Sequence, residues 1–519
     1  MENHSEKDKR IARNTLLLYF RMLFLLLVSL YTSRVVLHTL GVVDFGIFNV
    51  VAGVVALLGF LNGALGSAAS RYITYAIGQQ QDTVVVKKTF GNILTLYLGL
   101  AALIFVLGET LGLWFVLTRL QIPPDRTEAA LWVYQCSILS SILTILNVPY
   151  NATIIAHERM SAFAYISMAD AVLKLLVACL LLFSPYDKLI VYSLLFLGIQ
   201  LFDWLLYRSY CRRHFKESHS RPQYDRHLFR EIFVFAGWTV NGNLAIIGYT
   251  QGLNILLNLF FGPAVNAARG IAVQVQNVCM QFCTNFQMAL NPQLTKSYAA
   301  GDLEQMHRLL VKSSKFSYYI LLVLVLPLLL LAEFVLHLWL GMVPEHTVSF
   351  LRLILCVELL FTLSNPIIVS VHATGRLKKF QLVEGSMLLT IVPIAYLLLK
   401  VFHLPAESIF VVHFVMEALT QYARLRIVLP LIRLSLGVYA RQVLLPILVV
   451  TLTAPVLPIV IRISFPEQNW GSFFLIGSIC LISTTLSTLY LGCTQNERRV
   501  LFSKAQSILN KCGNFSFGR

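Results

Sequence analysis

The chain has 519 residues, of which 57% are hydrophobic and 13% are charged, and its mean hydropathy is +0.72. Soluble domains have about a quarter of their residues charged, so this composition excludes most soluble functions. The net charge of +16 would be typical of nucleic-acid binding, but the lysines and arginines lie between apolar stretches, so no nucleic-acid partner is expected.

Apolar stretches follow one another from Ile11 to Cys493, each long enough to cross a bilayer, which takes about 20 residues. Backbone polar groups cannot stay unpaired in lipid, so these stretches are helices. The sequence therefore predicts an all-α polytopic membrane protein with about 14 transmembrane helices. The predicted spans are 11–33, 43–69, 88–116, 129–155, 160–183, 188–207, 231–260, 266–294, 314–340, 347–374, 379–402, 407–429, 442–463 and 470–493.

Basic residues set the expected orientation. Most of the 41 lysines and arginines lie in every second connector, and the positive-inside rule places those connectors in the cytoplasm. An even number of spans then puts both termini in the cytoplasm. The first apolar run is too long for a signal peptide and lacks a small-residue cleavage site, so we expect a retained anchor. The opposite connectors contain few basic residues: Arg34, Arg119, Arg126, Lys188 and Arg462.

The widest basic connector, Arg208–Arg230, separates the first twelve spans into two sets of six. A weak repeat supports this division, because Leu40–Gly46 opens span two and the similar segment Phe261–Ala267 opens span eight. Transporters built from such repeats bind substrate between the two halves. We predict two pseudo-symmetric six-helix lobes, 1–207 and 231–429, a cytoplasmic basic linker, 208–230, and two further spans with a cytoplasmic tail, 430–519.

Three cations lie within or beside the spans of the first lobe. Arg21 is near the middle of span one, where a charge costs about 2.5–3.5 kcal/mol, so we expect it to face a cavity. The alternative is that it extends to the cytoplasmic interface. Arg34 lies near the outer end of span one and would cap the cavity. Lys174 is a further candidate ligand, although Asp170 four residues before it suits a structural ion pair.

The second lobe has amides with one cation. Arg269 and Gln276 share a helix face in span eight, and Gln251, Asn254 and Asn258 share a face in span seven. Helix faces with many amide side chains and little charge suit hydrogen bonding to sugars in a water-filled cavity. The alternative is amide bonding between helices, which is common in membrane bundles.

Buried carboxylates are candidates for ion coupling, since they could carry protons or cations, or could instead pair with basic neighbours. They are Asp203, Glu358 and Glu417. We find no catalytic constellation, no metal or cofactor motif and no glycine-rich phosphate loop. The sequence therefore predicts neither an enzyme nor an ATP-driven pump acting alone.

Two parts of the chain carry a family resemblance. The run Arg34–Asn49, with Ser70-Arg71-Tyr72-Ile73 and Gly78 after it, resembles the polysaccharide flippases of the multidrug/oligosaccharidyl-lipid/polysaccharide (MOP) exporter superfamily. So does Arg269–Gln274, with Asn291-Pro292 after it, at the repeat position. The resemblance extends over nearly the whole chain in span count and two-lobed repeat.

This resemblance implies a fold like that of the MATE (multidrug and toxic-compound extrusion) transporters, with the last two helices outside the two lobes. It implies translocation of an undecaprenyl-pyrophosphate-linked oligosaccharide to the outer leaflet of a bacterial inner membrane. The implied partners are this substrate, membrane lipid, and polysaccharide polymerase and chain-length proteins.

Three alternatives remain open at this point. A lipid II flippase shares the span count and a cationic cavity. A cation or drug antiporter of the same superfamily would use an acidic cavity, whereas span one has an arginine and no carboxylate. A membrane glycosyltransferase or polymerase needs a large outer loop, and the longest outer connectors here are short.

Overall fold

The computed structural model describes residues 4–56, 60–79, 82–119, 123–340, 343–465, 469–499 and 502. We number fourteen helical segments in chain order, each of which can include a short kink. They are α1 His4–Ala56, α2 Phe60–Gly78, α3 Thr83–Thr118, α4 Pro124–Ala156, α5 Met160–Phe183, α6 Lys188–His214, α7 Arg226–Phe261, α8 Pro263–Ala299, α9 Leu303–Leu340, α10 Thr347–Thr374, α11 Lys378–Val401, α12 Ser408–Leu431, α13 Leu436–Ser464 and α14 Trp470–Gly492.

Ten of these segments are long and apolar enough to cross a membrane, counting only the described residues. The others are α1, α2, α8 and α12, and α8 has amide side chains about every turn. The described part of the chain contains helices and no strand. The predicted all-α membrane fold is confirmed, and the chain is a multi-pass membrane protein.

Two glycines interrupt the helices at the positions where the sequence repeats. Gly41 has φ +77° inside α1, and Gly262 has φ +81° between α7 and α8. Side chains with a Cβ rarely adopt this backbone conformation, so glycine is required at both turns. Span one therefore continues to Leu40 before the chain turns into span two. The shared conformation supports the predicted repeat.

Two prolines coincide with breaks in the second half of the chain. In α10 the helix is interrupted at Thr362 and Leu363, just before Pro366, and in α11 it is interrupted at Thr390, just before Pro393. A proline lacks the N–H that bonds the carbonyl four residues earlier, and its ring clashes with that carbonyl. The break in α10 leaves the Thr362 carbonyl without its helical donor, and it accepts a hydrogen bond from Gln287 Nε2 at 3.2 Å.

Packing divides the chain into two compact units. Unit 1 contains residues 1–247, 288–306 and 369–385, and unit 2 contains 248–287, 307–368 and 386–519. The ends of α7, α8, α10 and α11 that adjoin basic connectors therefore pack in unit 1, with the helices of the first half. These units cross the lobe boundary expected at the linker, and the two six-helix lobes stay a prediction.

Candidate functional site

In unit 1, Arg21 lies on α1 against an aromatic ring. Its guanidinium carbon is 4.3 Å from the centre of the Phe163 ring on α5, and its Nε is buried without a hydrogen-bond partner. Within the described part of the chain, no carboxylate pairs with it. A guanidinium held by a ring face and lacking a counter-charge can accept an anionic ligand.

Lys174 is engaged by its neighbours. Its Nζ lies 2.8 Å from Asp170 Oδ2, one helical turn earlier on α5, and 5.7 Å from the centre of the Phe196 ring. Asp203 on α6 is buried and lies near the same Asp170. Lys174 and Asp203 therefore both lie beside Asp170. The structure shows Lys174 in an ion pair, and its role as a substrate ligand stays a prediction.

In unit 2, Arg269 is buried on α8 and bonded to amides. Its Nη1 donates to Asn254 Oδ1 on α7, and Asn254 Nδ2 donates to Gln251 Oε1 at 3.1 Å. Its Nε is buried without a hydrogen-bond partner. No carboxylate pairs with Arg269 in the described chain. Three of the predicted site residues therefore form one chain of hydrogen bonds that ends at the exposed Gln251.

The two candidate carboxylates of unit 2, Glu358 and Glu417, make separate contacts. Gln276 Nε2 donates to Glu358 Oε2, which ties α8 to α10. Glu417 forms a fully buried ion pair with Arg424 on the same helix. Arg424 Nη1 also donates to Ser364 Oγ at 2.7 Å. Glu417 thus pairs with a basic neighbour, whereas Glu358 accepts a hydrogen bond from an amide.

Two predicted site residues are placed only by their backbone. Arg34 lies within α1 and Asn258 within α7, and both side chains lie outside the described residues. Their roles in binding stay predictions.

Unit 1 also contains a polar cluster that was not predicted from the sequence, which we call the latch and define as Glu158, Gln293 and Lys296. Glu158 follows α4 with φ +58°, and its carboxylate accepts from Lys296 Nζ at 2.9 Å and from Gln293 Nε2 at 3.0 Å. Its side chain is 4% exposed. A non-glycine residue is strained at this φ and keeps it only when its surroundings fix it.

Further contacts hold α8 and α10 at the same end of unit 1. Arg71 Nε on α2 donates to the His372 carbonyl on α10 at 2.9 Å. The α2 residue Gly78 is in close contact with α8, because an added Cβ would lie 2.8 Å from Lys296 Cα. These helix ends adjoin the connectors that the positive-inside rule assigns to the cytoplasm. These contacts join helices from both halves of the sequence at that end of unit 1.

One sequence signal could have indicated the latch. Glu158 is an acid in a short connector on the basic side, and Lys296 follows the Asn291-Pro292 element of the repeat. Their separation of 138 residues gave no reason to pair them before the fold was known.

No protein-family model and no curated protein sequence matches this chain. Solved structures do match. One is described as an outward-facing multidrug resistance MATE family transporter of the MOP superfamily, with a TM-score of 0.71, 14% identity, and coverage of 82% of this chain and 96% of that one. Another, described as MATE in complex with MaD3S, has a TM-score of 0.69 and 16% identity over 82% and 97% of the two chains.

A third similar structure is a MOP superfamily transporter from Pyrococcus furiosus, described as having a binding pocket of reversed polarity that suggests a different function. Its TM-score is 0.69 at 14% identity, over 83% of this chain and 97% of that one. At such identities the likeness establishes the fold alone. The chain therefore has the fold of the MATE transporters of the MOP superfamily.

Proposed function

We propose that this protein is a flippase that moves an undecaprenyl-pyrophosphate-linked oligosaccharide from the cytoplasmic to the outer leaflet by alternating access. The coarser part of the proposal, membrane transport, is supported by the MATE-like fold. The observation that carries the substrate class is the pair of arginines without carboxylate partners, Arg21 in unit 1 and Arg269 in unit 2. Each has a buried Nε without a hydrogen-bond partner among the described residues.

An uncompensated cation inside a membrane protein is costly, at about 2.5–3.5 kcal/mol even on lenient scales. A protein that keeps such cations gains stability when an anion binds, and a pyrophosphate offers several acceptor oxygens. A guanidinium matches those oxygens in a planar, two-pronged geometry that an ammonium cannot reproduce. This chemistry favours a phosphorylated substrate over a cationic drug.

The sugar part of the substrate needs neutral donors and acceptors. The chain from Arg269 through Asn254 to Gln251 offers amides directly beside the cation. An amide both donates and accepts, so it suits the hydroxyl groups of an oligosaccharide. We assign phosphate binding to Arg21 and Arg269, and sugar binding to Asn254 and Gln251.

We assign the latch to one of the two states of the transport cycle. We assign the contacts of Glu158 with Lys296 and Gln293 to the state in which the basic end of unit 1 is closed. Release of these contacts would let that end open to the cytoplasm for loading, and their reformation would accompany delivery to the other side. The substrate itself then biases the equilibrium by binding the two states with different affinity.

Ion coupling is assigned to the carboxyl pair of unit 1. Asp203 is buried near Asp170, and two neighbouring carboxyl groups can take up a proton or a cation. The same pair also favours a second candidate function, an antiporter for organic cations, since a doubly ionised pair would attract a cation. The ion pair of Lys174 with Asp170 reduces that attraction.

Deletion of the gene tests the proposal, with lipid extracts analysed by mass spectrometry. We expect a completed undecaprenyl-pyrophosphate oligosaccharide to accumulate and the surface polysaccharide to disappear, which would also identify the sugar. Accumulation of lipid II would replace this substrate with the peptidoglycan precursor. Unchanged lipids together with increased sensitivity to cationic drugs would overturn the proposal in favour of the antiporter.

A further inference from the structure

A basic pocket of about 390 Å³ lies where the linker crosses the start of α3. We define it by Lys87 and Lys88 on α3 and by His219, Arg221 and Gln223 on the linker, with the apolar Val84 at its edge. It lies within unit 1 and includes none of the residues assigned to transport.

The linker is held in place, so the pocket is already formed. Gln223 N donates to the Gly91 carbonyl at 3.2 Å, and Asp225 N donates to Asn92 Oδ1 at 2.7 Å. Gly91 fits only because it has no side chain, since an added Cβ would lie 2.8 Å from the Arg221 carbonyl oxygen. A rigid concave surface loses less entropy on binding than a flexible one.

A second contact anchors the start of the linker. The ring of Phe215 stacks on His157 with centroids 4.2 Å apart, and the buried carboxylate of Glu217 hydrogen-bonds His157 Nε2. Burial acts to raise the pKa of Glu217, but its bond to His157 prevails and the pKa is lowered. The carboxylate therefore stays charged and bound, and the linker cannot leave α4 without exposing it.

The charges around the pocket favour an anion. Lys87, Lys88 and Arg221 supply three cations, and Asp225 at the rim pairs with Lys88, with Nζ 2.6 Å from Oδ2. The bond from Lys88 lowers the pKa of Asp225 to about 2, so its carboxylate competes with any anion for Lys88. Glu217 lies behind the pocket, where its charge also acts on Lys87.

The apolar surroundings indicate a membrane ligand rather than a soluble one. Val84 at the edge of the pocket is 73% exposed, and Tyr224, next to Gln223 in the sequence, is 67% exposed. An apolar surface next to a basic cluster at the end of a membrane helix is where acyl chains meet phosphate headgroups.

We propose that this pocket binds the phosphate headgroup of an anionic membrane phospholipid, with Lys87 and Arg221 as its principal ligands. The site is independent of the proposed transport function. Anionic lipid would then hold the linker against α3 and anchor the chain at the cytoplasmic surface.

The test is native mass spectrometry of the purified full chain, titrated with phosphatidylglycerol or with phosphatidylcholine. We expect the first phosphatidylglycerol to bind more tightly than phosphatidylcholine. The double variant Lys87→Gln/Arg221→Gln should weaken that first binding about thirtyfold, since two basic groups near a membrane surface contribute about 1 kcal/mol each. The matched control Lys378→Gln/Lys379→Gln removes two exposed charges from another basic connector and should leave it unchanged.

A third variant has an effect of opposite sign. Asp225→Asn frees Lys88 while its amide oxygen can still accept from the backbone N–H groups of His227 and Leu228, so it should strengthen lipid binding. The proposal would be overturned if the control weakened lipid binding as much as Lys87→Gln/Arg221→Gln does. It would also be overturned if Lys87→Gln/Arg221→Gln or Asp225→Asn left binding unchanged, or if Asp225→Asn weakened it. Displacement of the lipid by inorganic phosphate alone would show a site for soluble phosphate and overturn it as well.

Discussion

The two arginines are arranged alike, although they lie in different units. Arg21 is supported by the face of an aromatic ring and Arg269 by an amide oxygen. Neither support carries a negative charge, so both guanidinium groups retain their affinity for phosphate oxygens. At the scale of single residues this feature separates a phosphate carrier from a carrier of cations.

Arg269→Lys keeps the charge but removes the planar pair of donors. We expect it to lower flipping about tenfold, because a hydrogen bond to a charged group is worth about 1.5–3 kcal/mol. Arg21→Ala should lower flipping at least as much. Both are measured as transport per molecule in the membrane, with the exposed Arg426→Ala as control. Normal flipping in Arg21→Ala would remove that residue from the site.

The turn glycines lead to a prediction about stability. Gly41→Ala and Gly262→Ala place a side chain at positive φ, which costs about 1–3 kcal/mol, so the thermal unfolding temperature in detergent should fall. Gly198→Ala is the matched control, since Gly198 lies in helix α6 with open space around its Cα and helix propensity favours alanine. A fall in the control equal to that at Gly41 would contradict this reasoning.

At the scale of helices, the latch links the end of α4 to the end of α8. Glu158 is almost fully buried and accepts from two donors on one face of α8, so removing the charge of Glu158 or of Lys296 breaks the charge-assisted contact between them. An uncompensated buried charge destabilises the contact more than loss of the whole pair does.

A double-mutant cycle tests the latch. Glu158→Gln and Lys296→Gln should each slow flipping, the double variant should be no worse than either single variant, and the charge-swapped Glu158→Lys/Lys296→Glu should recover part of the rate. Combining Glu158→Gln with Lys315→Gln is the control, since Lys315 pairs with Glu497 instead and the two effects should add. Additive effects of Glu158 and Lys296 would refute the latch.

Helices were predictable here because lipid leaves the backbone no alternative, and the repeat was readable because the turns at Gly41 and Gly262 need glycine. Contacts between segments far apart in the sequence were not predictable. The pairing of Arg269 with Asn254 could be expected from two polar faces on consecutive helices, whereas that of Glu158 with Lys296 depends on how the first half of the chain meets the end of α8. Glu417 shows the opposite case, since its partner Arg424 lies two turns along the same helix and on the same face.

For the molecule as a whole, the charge distribution predicts one orientation. The linker and the ends of α2, α4 and α8 would face the cytoplasm, and the start of α4 would face outward. Single cysteines at the exposed positions Gln223 and Asp125, in a chain otherwise lacking cysteine, measure this. A membrane-impermeant maleimide should label Asp125→Cys in intact cells and Gln223→Cys only in opened cells. The reverse pattern would contradict the topology.

Flipping by the purified protein in vesicles tests the central claim most directly. Vesicles containing the chain and the undecaprenyl-pyrophosphate oligosaccharide are treated with an impermeant enzyme that attacks only the outer leaflet. We predict that the wild-type chain makes nearly all of this lipid accessible, and that Arg21→Ala/Arg269→Ala leaves about half of it protected although equally reconstituted. Equal accessibility with the double variant, or half protection with the wild-type chain, would contradict the assignment of this protein as an arginine-dependent flippase.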